Sequence, residues 1–467
     1  MTIVGLLGPS AAEPPLGRSF DARPSPFVVT GLLWAAIACG LVAVLAGLSA
    51  LRAGRRPRPG LLVVIGVVAV AVLAVLPPLG STDMLDYATY GRIITLGHSP
   101  YTMSPYALRR LGDPIALLAP PSWRGSVTVY GPVGTAVQAL ASWLGGSSAV
   151  WTIFWLKVEN AAAFLATAYL LDRMAGPDPA RRLRVHVLWT INPLMLWAVV
   201  GGGHIDGVAV ALAIAGLFVV RRAPVAGGFL VGLAAAVKAS FALVAVGALR
   251  ASWRSPRALA GLIAGGLLGL VPGYLLIGHR ALDVLLQRGN HPSTMSLWTW
   301  IPEFGLGHPP GLLQTAGSLI MFVVLAAIFA RGFPDEPVHA SGVRLALVFG
   351  VAWLICSPVY YPWYEVMIFP LLALMAPSRL DGLLVLRSAI GALGVLPGVD
   401  QHYRPSWLRH LGYQQVPIYV LKPAMLVIAV MLVIMSIRRS WGADQVESHV
   451  MDLSGDRSPA GSARSTA

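Results

Sequence analysis

Long apolar runs separated by short polar breaks organise this chain. They occupy 27–51, 60–79, 149–171, 185–200, 206–220, 226–237, 239–249, 258–277, 309–330, 343–357, 363–377, 382–397 and 417–437. Stretches such as 61–79 show neither the alternation of a half-buried strand nor the polar stripe of a surface helix, so they predict helices that are apolar all round. About 20 such residues cross the hydrocarbon core of a bilayer. In lipid the backbone must satisfy its own hydrogen bonds, and a helix does so within one segment. The predicted fold class is therefore an all-α polytopic membrane protein, a helical bundle of about thirteen transmembrane helices with a long first outer loop, 80–148, carrying surface helices. Two runs, 226–237 and 239–249, are too short to cross singly and meet at Lys238. They read as a broken pair that dips into the membrane and returns; the alternative is one continuous span with a buried or snorkelling lysine.

Composition strengthens this picture. The 467 residues are 56% hydrophobic and 12% charged, against about 25% charged in soluble domains, and mean hydropathy is +0.71. A net charge of +14 raises the question of nucleic acid. The excess, however, is arginine dealt out in small groups between apolar runs, with no basic domain, which is the pattern of the positive-inside rule. Arg52, Arg55, Arg56 and Arg58, then Arg173, Arg181, Arg182 and Arg184, then Arg221 and Arg222, Arg250, Arg254 and Arg257, and Arg438 and Arg439 mark the cytoplasmic side. The segments 80–148, 278–308, 358–362 and 398–416 then share the outer face of the cell membrane. Segment 127–144 is the test case: as a span it would put Arg181–Arg184 outside, so it is expected to lie along the outer surface.

Three further expectations follow. The segment 1–26 is polar and proline-containing and lacks a signal-peptide pattern, so 27–51 is expected to stay as an anchor. Residues 27–440 form the transmembrane unit, and 441–467, rich in Ser, Gly, Asp and Arg, read as a disordered cytoplasmic tail. Cys39 and Cys356 lie inside apolar runs and imply packing thiols, without a disulfide framework.

Candidate chemistry gathers on the outer segments. If Asp83 opens a helix, then Asp83, Asp86, Tyr87 and Tyr90 share one face. Two carboxylates a turn apart beside a bilayer are costly unless used or neutralised. One serves as a general base while the other orients it or holds a divalent metal, or else they are an N-cap acid and a solvated acid. In Gly201-Gly-Gly-His-Ile-Asp206-Gly207 the glycines break a helix at His204 and Asp206, a pair suited to a sugar hydroxyl, an acceptor or a metal, or simply a turn facing water. Lys238, one of three lysines, is a fixed cation suited to a lipid phosphate. The run Ser357-Pro-Val-Tyr-Tyr-Pro-Trp-Tyr-Glu365 and the group His291, Trp298 and Trp300 read either as an interfacial aromatic belt or as faces that stack on sugars.

Taken in order, Ser81-x-Asp83-x-x-x-Tyr87-x-x-x-Gly91-Arg92, Gly97-x-x-Pro100-Tyr101 and Tyr130-Gly-Pro132 resemble the first outer loop of the GT-C superfamily, membrane glycosyltransferases that use polyprenyl-phosphate sugars. Asn192-Pro193-Leu194, Gly203-His204-x-Asp206 and Pro362-Trp363-Tyr364 narrow the resemblance to the actinobacterial polyprenol-phosphate-mannose-dependent α-1,6-mannosyltransferases of the lipoglycan mannan core. The resemblance implies that Asp83 deprotonates an acceptor hydroxyl, which displaces the lipid phosphate with inversion; Asp86 stands one turn later as the second candidate acid. It implies Lys238, with Arg92 as a second candidate, near the donor phosphate. His204 and Asp206, with Tyr87, Tyr130, Trp363 and Tyr364, are implied in sugar or acceptor binding, although Ile205 stands where these relatives often carry asparagine. The expected partners are a polyprenyl-phosphate sugar donor, a lipid-linked glycan acceptor and membrane lipids, without nucleic acid. No Walker loop or dinucleotide fingerprint is present, which argues against a nucleotide-sugar donor. The rival class is a polytopic transporter or lipid flippase, which also brings polar residues and broken helices into a membrane. The halves of this chain show no convincing self-similarity of the kind such proteins carry.

Overall fold

The computed structural model describes residues 1–10, 12, 14, 16, 20, 22–282, 292–300, 311–336, 342–396 and 415–442. Every regular element among them is helical, and the described part of each predicted apolar run falls mostly on helix. Pro26–Arg52, Ala149–Ala175, Pro256–Ile277, Gly311–Gly332 and Pro417–Arg438 are long and apolar enough to cross a membrane. The pair Pro179–Thr190 and Pro193–Gly201, bent by 43° at its break, makes a sixth span if counted as one. The Asn192-Pro193 sequence causes that bend: the Asn192 side chain caps the Leu194 N–H at 3.0 Å, and proline starts the second helix. Pro59–Val75, Asp206–Val219, Pro224–Val237, Ala239–Ser252, Val343–Cys356 and Pro362–Leu374 are shorter apolar helices. The expected spans are thus helices of unequal reach. The tail from 443 and His291 lie outside the described residues.

The chain runs up and down. After α1 (Thr2–Leu7) come α2 (Pro26–Arg52) and α3 (Pro59–Val75), joined through the first arginine group and both packed against the segment 179–190. Across the segment 80–148 come α4 (Asp83–Thr95), α5 (Pro105–Arg110) and α6 (Pro132–Gly145). α7 (Ala149–Ala175) then returns to the arginine end, where α8 (Pro179–Val185) and α9 (Pro193–Leu196) lead back. α10 (Asp206–Val219), α11 (Pro224–Val237), α12 (Ala245–Ser252) and α13 (Pro256–Ile277) continue the alternation. Each arginine group therefore falls at one end, and Asp83, His204 and Lys238 at the other.

Solvation is inverted relative to a soluble domain. Val64 and Val68 on α3, Leu275 and Leu276 on α13, and Leu312 and Leu319 beyond it are more than half exposed, while Lys157, Asn160, His204, Asp206 and Glu365 are buried. Only 17% of the apolar window of α13 is buried, so lipid must cover most of it. α6 has 14 residues and reaches about 21 Å, too short to cross. It packs on α4 and α7 and buries Gln138 and Ser142, with Trp143 exposed. The described part of the N-terminal segment belongs to this same end: Val4 is buried, and the Ala12 carbonyl accepts the Gly80 N–H at 2.7 Å.

Candidate functional site

The turn ahead of α4 is tied down from several directions. α3 ends at Val75, leaving carbonyls without helical partners. The buried Lys157 ammonium of α7 donates to two of the carbonyls that follow, Leu76 at 2.6 Å and Pro77 at 3.3 Å. A cation at a helix C-terminus also meets the negative end of its dipole. The Leu79 N–H donates to the Gly201 carbonyl at 3.0 Å, and the Trp197 indole donates to the Leu79 carbonyl at 2.9 Å. These bonds couple the start of α4 to the glycine break that carries His204 and Asp206. At the break Gly203 adopts a φ of +70°, which disfavours any residue with a Cβ, and a Cβ there would also push on the Met84 side chain. Asn160 of α7 holds its carbonyl from below at 3.4 Å.

Asp83 is the first residue of α4, with 20% of its side chain exposed. The fully buried His204 places Nδ1 3.4 Å from Asp83 Oδ2, and the Tyr87 hydroxyl donates toward the same oxygen at 3.4 Å. Tyr87 and Tyr130 meet edge to face and share a hydroxyl hydrogen bond of 2.9 Å. Burial raises both phenols well above their ordinary pKa, and the carboxylates of Asp83 and Asp206 add to the shift; the hydrogen bond between the two hydroxyls raises Tyr87 further and partly offsets the rise of Tyr130. Both are therefore neutral hydroxyls. Asp86, one turn on, is buried.

The Tyr130-Gly-Pro132 motif reaches the broken helix. The Gly131 N–H donates to the Val237 carbonyl at 3.0 Å, and no Cβ fits at Gly131 against the Ala236 carbonyl. At the next residue α11 stops: Lys238 has extended backbone, with φ −150° and ψ 123°, before a short 3-10 turn, Ala239–Val244, resumes. The broken-pair reading of 226–249 thus describes this segment, and the continuous span does not. The Lys238 ammonium donates to Asp206 Oδ1 at 2.6 Å and lies 3.5 Å from the centre of the Tyr364 ring.

The aromatic wall comes from 360–364. Trp363 stacks on His204 with centroids 3.8 Å apart and on Tyr361 at 4.8 Å. Glu365 fixes this segment from behind. It pairs with Arg387 of the helix Arg379–Leu393 and accepts the Tyr360 hydroxyl at 2.8 Å, all buried. The structure thus brings together Asp83, Tyr87, Tyr130, His204, Asp206, Lys238, Trp363 and Tyr364. Arg92 lies apart, nine residues along α4 and so about 13 Å away, held by Asp113 at 2.8 Å. Among the described residues no three His, Cys, Asp or Glu side chains converge as a metal-ligating group. Lys157, Asn160, Glu365 and Arg387 were not singled out from the sequence. Their signal was available, since each is a charged or amide side chain inside an apolar run.

A family model described as "Alpha-(1->6)-mannopyranosyltransferase, N-terminal domain" matches residues 4–255, more than half of the chain. The chain belongs to this family. The matched stretch includes Asp83, Tyr130, His204, Asp206 and Lys238, while Trp363 and Tyr364 lie beyond it. Alpha-(1->6)-mannopyranosyltransferase A of Corynebacterium glutamicum is 28% identical over 170 residues, 36% of this chain and 34% of that protein. Alpha-(1->6)-mannopyranosyltransferase B of the same organism is 25% identical over 213 residues, 43% and 35% respectively. Alpha-(1->6)-mannopyranosyltransferase A of Mycobacterium tuberculosis is 29% identical over 182 residues, 37% and 33%. The chain thus spans about a third of the length of the curated relatives it matches.

Proposed function

We propose that this protein is a membrane glycosyltransferase that moves a mannosyl residue from a polyprenyl-phosphate donor to a lipoglycan or glycolipid acceptor on the outer face of the cell membrane. The observation that supports this most is the meeting of Asp83, His204, Asp206 and Lys238 beside an aromatic wall, in a chain of the α-(1→6)-mannopyranosyltransferase family. In this reading Asp83 Oδ2 takes the proton of the acceptor hydroxyl. The freed oxygen pair forms a bond to the anomeric carbon from the face opposite the leaving group. The bond from that carbon to the phosphate oxygen breaks, its electrons leave with the lipid phosphate, and the anomeric centre inverts.

Tyr87 and His204 flank the Asp83 carboxylate and fix its orientation. Lys238 has three N–H groups; Asp206 accepts one and the Tyr364 ring meets the ammonium, and in this reading a remaining N–H goes to a donor phosphate oxygen as negative charge develops there. Trp363, stacked between His204 and Tyr361, holds the histidine ring in place, and the partly exposed Tyr130 and Tyr364 border the space for a sugar. The loop 80–148 is the catalytic part of the bundle 27–440, and it faces outward because the arginine groups hold the opposite end inside.

The test is transfer by the purified full chain in lipid, offered radiolabelled mannose on a polyprenyl phosphate or on a nucleotide, with membrane glycolipid as acceptor. Label is expected in the glycolipid from the lipid-linked donor alone. Transfer from the nucleotide sugar only, or lipid-sugar movement across the bilayer without any transfer, would overturn the reading, and the second result would favour the flippase class.

A further inference from the structure

At the arginine end, opposite the Asp83 cluster, the bundle encloses a cavity of about 360 Å³ between the ends of α2 and α7, the start of α8 and the segment 373–377. Arg52, Arg56, Arg181 and Arg184 line it, and Leu48, Leu51 and Leu374 form its apolar side. The four guanidinium groups have unequal duties. Arg184 is buried, grips both oxygens of Asp381 at 2.6 and 2.8 Å, and donates to the Met375 and Leu372 carbonyls at 3.0 and 2.9 Å. It is committed to the fold. Arg52 donates to the Ser378 carbonyl at 2.8 Å and stands 3.5 Å from the already occupied Asp381 carboxylate, with 42% of its side chain exposed. Arg56 donates to the carbonyls of Leu51 and Arg55. Arg181 and Asp178 approach to 3.4 Å, with 47% and 46% of their side chains exposed. Against these four cations stand two carboxylates, Asp178 on the rim and Asp381 behind Arg184.

We propose that this cavity binds the phosphate-bearing headgroup of an anionic membrane lipid from the leaflet at the arginine end. A net charge of +2 around a small half-enclosed space suits a phosphate group, and guanidinium forks match phosphate oxygens in pairs. A free phosphate ion has no use for the apolar side. A lipid does: Leu48, Leu51 and Leu374 line the cavity beside the arginines, an apolar side that the glycerol and first acyl carbons of a lipid cover. Basic pockets between membrane helices bind anionic headgroups by this combination. The site is separate from the proposed transfer chemistry, so its failure and that of the enzymatic reading are independent.

The test uses the full chain in detergent, titrated with short-chain phosphatidic acid, short-chain phosphatidylcholine and inorganic phosphate, with binding followed by native mass spectrometry. The expected result is saturable binding of one phosphatidic acid, little binding of phosphatidylcholine, and inorganic phosphate competing only at far higher concentration. The double variant R56Q/R181Q, altered at two side chains that anchor no buried carboxylate, should bind phosphatidic acid about thirtyfold more weakly, the worth of two basic residues at an anionic surface. R221Q/R222Q, two exposed arginines at the same end, should bind as the unaltered protein does. Equal binding of the two lipids, equal competition by inorganic phosphate, unaltered binding by R56Q/R181Q, or equal loss in both double variants would each overturn the site.

Discussion

Replacing Asp83 by asparagine keeps its shape and its place at the start of α4, and removes only the capacity to accept a proton. If Asp83 is the base, mannosyl transfer should fall roughly 10²–10⁴-fold, while donor binding, measured separately, is kept. Asp86→Asn should do less, because its carboxylate is buried one turn below and Asp83 is the acid met by His204 and Tyr87. Near-normal turnover in Asp83→Asn with a dead Asp86→Asn would transfer the role. Lys238 needs a two-part test, because the structure gives it a partner that sequence reading left separate. Asp206 is buried at 1% exposure, and Lys238→Met strands its carboxylate. Breaking a buried pair from one side costs about 3–5 kcal/mol, so loss of activity in that variant confounds folding with chemistry. The pair variant Lys238→Met/Asp206→Asn should regain most of the thermal stability and still bind donor poorly. Donor affinity restored along with stability would make Lys238 a structural residue only.

At the scale of elements, the motifs were legible in the sequence and their meeting was not. An acid at the head of a helix, a glycine break at His204 and a lysine between two short apolar runs are local signals, and the structure shows each as a local feature. What joins them is long-range: the Gly131 N–H on the Val237 carbonyl, the Leu79 N–H on Gly201, and Lys157 on the carbonyls after α3. No periodicity encodes which carbonyl a distant group will meet. Arg92 shows the same limit, since its spacing within the loop motif does not reveal Asp113 as its partner, 21 residues on. Glu365 and Arg387 were legible as charges in apolar runs, though not as a pair. Their pairing makes a prediction for the aromatic wall. Arg387→Met leaves Glu365 buried without its cation and should destabilise the protein by about 3–5 kcal/mol; Arg387→Met/Glu365→Gln should recover much of that stability in a thermal melt. If the pair holds Trp363 and Tyr364 in register, the stable double variant should still transfer mannose more slowly, and full activity would separate this network from the site.

For the whole molecule, the decisive property is which end faces which compartment. The fold sorts the chain into an arginine end and an Asp83 end, and this follows from connectivity alone: α2, α7 and α10 run toward the arginines, and α3, α11 and α13 run away. The positive-inside rule divides the chain in the same way, but a bundle has no intrinsic outside, so orientation needs a chemical probe. Gly145 is a poor reporter position, because a side chain there would run into the backbone of Thr152. Leu111, 70% exposed in the loop 80–148, and Arg222, exposed in the turn between α10 and α11, are better. With Cys39 and Cys356 replaced to remove background, Leu111→Cys should react with a membrane-impermeant maleimide on intact cells, and Arg222→Cys only after permeabilisation. The opposite pattern would put the Asp83 cluster in the cytoplasm. A polyprenyl-phosphate sugar presented on the outer leaflet would then have no access to it, and the proposed reaction would have to run on the inner leaflet or be abandoned.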